Sequence, residues 1–214
     1  MIKLISHAHY QALAQDAKEL ERDGHGVKVL LLPNQKIIKL FRVKRLLSLS
    51  LIYPYSLRFA RNAKRLITMG IPSVSVEQTF FCPAIRRHGL IYPLLEGESL
   101  DKVLIHSPGQ DSELEKLAQF MAQLHQKGVL FRSLHLGNIL RLPNGHFGLI
   151  DVADIRFHRQ SLNLKQRRRN FRHLFRNPSH RLIFEQFGIE RFVMAYLEMA
   201  DIPKEKKEHF LTTN

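Results

Sequence analysis

The stretch "GVLFRSLHLGNILRLPNGHFGLIDVAD", residues 128–154, concentrates side chains that can do chemistry. Asn138 stands at the end of a loop, and Asp151 ends the run that follows it. Between them Asn144-Gly145 is a two-residue turn signal between apolar residues, the mark of a short hairpin. A hairpin brings its two ends together, so Asn138 and Asp151 are expected at one end of adjacent strands. An amide oxygen and a carboxylate are hard ligands of the kind Mg²⁺ takes, and nucleotide phosphates would complete its shell. Phosphoryl transfer is one chemistry such a set could serve. The plain alternatives are a turn residue at 138 and a helix cap at 151. Ser133 lies five residues before Asn138. Serine accepts no proton at neutral pH. His135, two residues on, and Asp154 are the groups nearby in sequence that could take its place.

These residues need elements to hold them. "SELEKLAQFMAQLHQKG" places Leu114, Leu117, Met121 and Leu124 on one helical face and ends at Gly128, with Ser112 and Glu115 spaced as a capping box. His125 in "LHQKG" reads as a structural histidine packing the loop. Upstream, "VKVLLLP" and "KIIKLFRVK" read as a β-hairpin. Residues 56–69 have helical spacing and stop at Gly70 and Pro72, and "IPSVSVEQTFF" and "HGLIYPLLEG" read as further strands. "HYQALAQDAKELERDGHG" begins as a helix and ends at a glycine-rich turn. After residue 160 the chain reads as helical throughout, beginning with a very basic segment. The order predicts an α+β chain of two lobes, a mainly β lobe over 1–95 and a mainly α lobe over 96–214, with a cleft near residues 93–98.

Composition narrows the class. The 214 residues hold 44% apolar side chains and a single cysteine, Cys82, which excludes an internal disulfide and fits a reducing compartment. The start carries no secretory pattern, and the longest apolar run, 46–57, is too short to span a bilayer and contains Pro54. A soluble cytoplasmic protein is expected. Lys and Arg number 33 against 19 Asp and Glu, and the two signs are segregated. No acid occurs between Asp23 and Glu77 or between Asp154 and Glu185, while acids gather at 96–115. Such segregation favours polyanionic partners, whether nucleic acid, lipid headgroups or phosphorylated sugars, although solubility alone also accounts for it.

The segment from "HQKG" to "DVAD" resembles the catalytic segment of protein-kinase-like phosphotransferases, particularly the bacterial lipopolysaccharide core sugar kinases and their toluene-tolerance relatives. Their loop runs roughly His-x-Asp-Leu-His-Pro-Gly-Asn-Ile-Leu. Here it reads Phe131-Arg132-Ser133-Leu134-His135-Leu136-Gly137-Asn138-Ile139-Leu140. The likeness spans about residues 10–200 and is most marked over 122–154. It implies a two-lobed protein-kinase-like fold with Mg²⁺ and ATP as cofactors and Asn138 and Asp151 as metal ligands. It implies Lys39 against the nucleotide phosphates, where a mobile point charge is needed. It also implies the backbone near Leu94–Glu96 against adenine, and a phosphate-covering turn at Gly24 and Gly26. That turn lacks a full glycine motif, so an ordinary hairpin turn reads equally well, and Lys39 reads also as an exposed strand lysine.

Two departures stand out. Ser133 replaces the loop aspartate, and the family lysine's usual glutamate partner cannot exist, because residues 24–76 contain no carboxylate. Lys39 is therefore expected to turn to Asp151. Neither departure excludes activity, since positioning and charge stabilisation carry most of phosphoryl transfer.

Two surfaces bear on the acceptor. Residues 44–65 form an apolar, aromatic run flanked by cations that could lie at a membrane or pack as core. The basic helix 162–177 could bind anionic sugar phosphates or headgroups, or be a solvated face, with Phe171 and Phe175 reaching the core. The resulting expectation is a sugar kinase acting on a lipid-linked acceptor such as lipopolysaccharide core, in the cytoplasm at the inner membrane of a Gram-negative bacterium. The alternatives are a pseudokinase that binds nucleotide or serves as a scaffold, and a basic adaptor for nucleic acid or membrane.

Overall fold

The computed structural model describes residues 2–43, 54–106 and 111–211. The chain divides into two compact units, Met1–Leu95 with Asp151–Ala153, and Glu96–Ile150 with Asp154–Asn214. It is α+β, with a sheet-rich N-terminal part and a mainly helical C-terminal part. Residues 44–53, most of the apolar run, lie outside the described residues.

The first unit is built on a six-stranded sheet ordered β1-β5-β6-β4-β3-β2. Its strands are β1 (Ile2–Leu4), β2 (Lys18–Asp23), β3 (Gly26–Leu31), β4 (Lys36–Arg42), β5 (Gln78–Cys82) and β6 (Arg87–Pro93). Among the described residues of this sheet, only β1 with β5 is a parallel pair. Register sorts the faces, because directly paired residues share a side. Ile38 pairs with Leu30 and Ile91, and these three join Leu40 and Phe80 in a core that Tyr10 and Leu13 of helix α1 (His7–Leu13) cover. Lys39 pairs with Val29 and Leu90 on the opposite face, with Phe41 two residues on. Helix α2 (Tyr55–Thr68) lies on that face, its Phe59 ring 6.1 Å from Phe41 and 5.8 Å from Tyr92. Gly89 is needed where the Phe80 ring crosses it, since a Cβ there would come within 2.2 Å of that ring.

Two elements differ from expectation. The N-terminal helix stops at Leu13, and "KELERD" is a fully exposed strand at the sheet edge. The strand expected across 71–81 is confined to Gln78–Cys82.

The second unit begins with β7 (Glu98–Ser99) and a short helix, α3 (Leu100–His106). Helix α4 (Asp111–Gln126) follows, with Leu117, Ala118, Met121 and Ala122 fully buried. It starts at Asp111, so Ser112 sits inside the first turn and is not the cap expected. Strands β8 (Val129–Phe131) and β11 (Ile155–Phe157) pair antiparallel, as do β9 (Ile139–Arg141) and β10 (Phe147–Leu149) across the Asn-Gly turn. Helices α5 (Leu164–Leu174), α6 (Pro178–Phe187), α7 (Ile189–Met199) and α8 (Lys204–Leu211) complete it. Gly188, at φ +98°, separates α6 from α7. The capping box belongs to α5, where Asn163 and Gln166 bond reciprocally to each other's backbone N–H.

Helix α5 is not simply a solvated basic face. Arg167, Asn170, Phe171 and Leu174 are buried, and the Phe171 ring meets Tyr196, Phe192 and Phe210. Lys165, Arg169 and Arg172 are exposed, with Arg176 just past the helix end, at the spacing of one helical stripe. Among the described residues, no helix is long and apolar enough to cross a membrane.

Candidate functional site

In the first unit, Lys39 sits mid-strand with a side chain only 12% exposed, and its Nζ lies 3.0 Å from Asp151 Oδ1. Strand alternation points it away from the Ile38 core, and the expected turn toward Asp151 is what the side chain does. Asp151 keeps 44% of its side chain open. Its backbone is left-handed, φ +53°, a region that favours glycine and is tolerated by aspartate at a cost. Its negative charge also reaches Tyr92, whose hydroxyl pKa is raised mainly by burial and further by Asp151 and Glu21.

Helix α2, which offers no carboxylate, contributes an amide instead. Asn62 is buried on the helix face that carries Phe59 and Leu66, and its Nδ2 donates to the Val152 carbonyl at 2.8 Å and, at 3.4 Å, to that of Ala153. Sequence reasoning missed this residue by looking for an acid on the helix. The available signal was a polar residue at an apolar-face position, three after Phe59 and four before Leu66.

The turn at Gly24 and Gly26 is a tight hairpin in which Asp23 pairs with Gly26. Asp23 Oδ1 accepts from the His25 N–H at 2.8 Å, and the Arg87 guanidinium donates to the His25 carbonyl. Gly26 needs its glycine at φ +107°, whereas Gly24 is open on all sides. The Leu94 N–H donates to the Gln35 carbonyl at 2.9 Å. Glu96 opens the second unit and is exposed.

In the second unit the loop after β8 is tightly bonded. The Leu134 N–H donates to the Phe131 carbonyl, and the Asn138 N–H donates to that of His135 at 2.9 Å. Asn138 is buried, and its Nδ2 donates to the Ser133 carbonyl at 3.0 Å, which leaves its Oδ1 as the hard oxygen a cation would use. The Ile150 N–H donates to the Asn138 carbonyl at 3.1 Å, which closes the hairpin next to Asp151 in the chain. Among the described residues, no three His, Cys, Asp or Glu side chains gather to hold a metal alone.

Ser133 Oγ donates to Asp154 Oδ1 at 2.8 Å. His135 keeps different company: its ring centroid is 6.0 Å from that of His180, whose Nε2 lies 3.7 Å from Asp101 Oδ2. Burial lowers the His180 pKa, with Asp101 opposing. Of the two substitutes for the missing aspartate, the structure therefore brings Asp154 to Ser133.

Behind the loop runs a buried relay. Arg167 Nη1 donates to Tyr196 Oη at 2.7 Å, and Asn170 Nδ2 donates to the Phe131 carbonyl at 2.6 Å. His125 lies between, its Nδ1 2.8 Å from Tyr196 Oη and its Nε2 3.1 Å from Asn170 Oδ1. Asn170 Oδ1 can only accept, so Nε2 carries the hydrogen and Nδ1 accepts from the tyrosine. Every donor thus points from Arg167 toward the loop, and the imidazole is neutral. Burial drives its pKa down to about 3. Asp201 bonds Arg167 at the far end.

No protein-family model matches this chain, and no curated protein matches it significantly.

Proposed function

We propose that the chain is an ATP-dependent phosphotransferase of protein-kinase-like fold, using Mg²⁺ and acting on an anionic, lipid-linked sugar such as lipopolysaccharide core. The pair between Lys39 and Asp151 carries this reading, because a mostly buried lysine on a strand meets an open carboxylate held in a left-handed backbone. Lys39 would steady the nucleotide phosphates, and Asp151 beside it would hold the cation. Bound Mg²⁺ would neutralise charge on the transferring phosphoryl group. The exposed stripe of Lys165, Arg169, Arg172 and Arg176 supports an anionic acceptor, at the cytoplasmic face of an inner membrane.

A second reading, a nucleotide-binding scaffold without turnover, is favoured by Ser133 at the loop position and by the lack of a carboxylate on helix α2 to pair with Lys39. Thermal unfolding with and without Mg·ATP tests the nucleotide site that both readings share. A ligand at a hundred times its Kd stabilises a fold by about 2.7 kcal/mol. The expected result is a Mg²⁺-dependent upward shift that shrinks in Asp151→Asn. No shift at millimolar nucleotide refutes the proposal.

A further inference from the structure

We infer that Asp154 is the general base of this phosphotransferase, with Ser133 as its orienting partner; the inference rests on the reading above. The loop position five residues before Asn138 lacks a carboxylate, yet one stands beside it in space. Strand β11 runs back antiparallel along β8, with Ile155 opposite Phe131. Asp154 directly precedes Ile155, and Arg132 and Ser133 directly follow Phe131, so continuing the ladder by a residue or two carries Asp154 to the loop. The Ser133 hydroxyl then donates to Asp154 Oδ1 at 2.8 Å, while Asn138 holds the Ser133 carbonyl at 3.0 Å. Oδ1 is occupied by the hydroxyl, and Oδ2 remains to receive a proton. Asp154 is partly exposed, so a hydroxyl acceptor can reach it.

The step balances. The acceptor hydroxyl oxygen forms a bond to the γ-phosphorus of ATP. The bond from that phosphorus to the β,γ-bridging oxygen breaks, its electron pair leaving with ADP. The hydroxyl proton passes to Asp154 Oδ2 and then to solvent. Serine at 133 and aspartate at 154 together supply what one aspartate would supply from the loop.

The test uses the full chain with Mg·ATP, water as acceptor, and ADP release as the rate. Asp154→Asn is expected to lower kcat by about 10²–10⁴-fold, the usual share of a general base, with the KM for ATP and the Mg·ATP thermal shift unchanged. Ser133→Ala should lower kcat less, again at constant KM, while Ser133→Thr keeps the hydroxyl and the rate. Ser133→Asp placed in Asp154→Asn should recover rate by returning a carboxylate to the loop. An Asp154→Asn rate within about twofold of wild type overturns the inference, well short of a base's usual share. A double variant no faster than Asp154→Asn also overturns it. Mg·ATP binding without any ADP release overturns it and leaves the scaffold reading. No Mg·ATP binding at all removes the phosphotransferase reading together with it.

Discussion

Lowering the pH from 7 to 5 is expected to weaken the fold through His125. The imidazole is enclosed between Tyr196 and Asn170, and its pKa falls from 6.5 to about 3, chiefly by burial. Between those values the unfolded chain binds a proton that the folded chain refuses. Stability from this group is therefore complete above about pH 6.5 and declines as the pH falls toward the folded pKa. At pH 5 the deficit spans about 1.5 pH units, which at about 1.36 kcal/mol per unit is about 2 kcal/mol. For a chain of this size that lowers Tm by roughly 4–8 °C. His88 and His180 are also pushed down by burial and add losses of the same sign. The wild-type slope alone is thus insufficient, and the discriminating measurement is its difference from His125→Gln. Glutamine keeps a donor and an acceptor but does not titrate. The variant should be less stable at pH 8, yet lose about 2 kcal/mol less than wild type between pH 7 and 5 in urea titrations followed by circular dichroism. Parallel stability curves would refute the neutral, relay-bound imidazole.

Asn62→Ala removes the donor that serves the Val152 and Ala153 carbonyls, and leaving such buried groups unmet costs about 1–3 kcal/mol. The urea midpoint should fall, and the Mg·ATP thermal shift should shrink with it, because the residues following Asp151 lose their anchor. Replacing Lys165, Arg169 and Arg172 together by Glu should abolish sedimentation with anionic vesicles at low salt. Urea stability should change little, since all three are exposed.

Some of this was legible in the residues alone. The β3–β4 hairpin, helix α2 and the Asn-Gly hairpin show in apolar period and turn chemistry, which local sterics dictate. The lack of any carboxylate over residues 24–76 is what raised Asp151 as a partner for Lys39. Strand β2 was hidden because all six of its residues are exposed and carry no apolar alternation. Helix α3 was hidden by its seven-residue length. The burial of Arg167 inside a basic run depends on Tyr196 and Asp201, about thirty residues on, and no local pattern reports that. The capping box "NLKQ" was readable at Asn163 and Gln166, but "SELE" offered the same pattern where the fold does not use it.

The exposed edge strand Lys18–Asp23 has a consequence beyond this unit. A sheet edge presents unmet N–H and C=O groups on which another chain can extend the ladder. Here five of six side chains are charged, and the pairing with β3 slips twice, between Glu19 and Glu21 and between Glu21 and Arg22. An incoming strand would meet bonding groups out of phase and would have to strip water from those charges. The opposite edge, Ile2–Leu4, is only three residues long. Both borders of the sheet therefore resist growth by an added strand, one through charge and broken register and the other through its shortness.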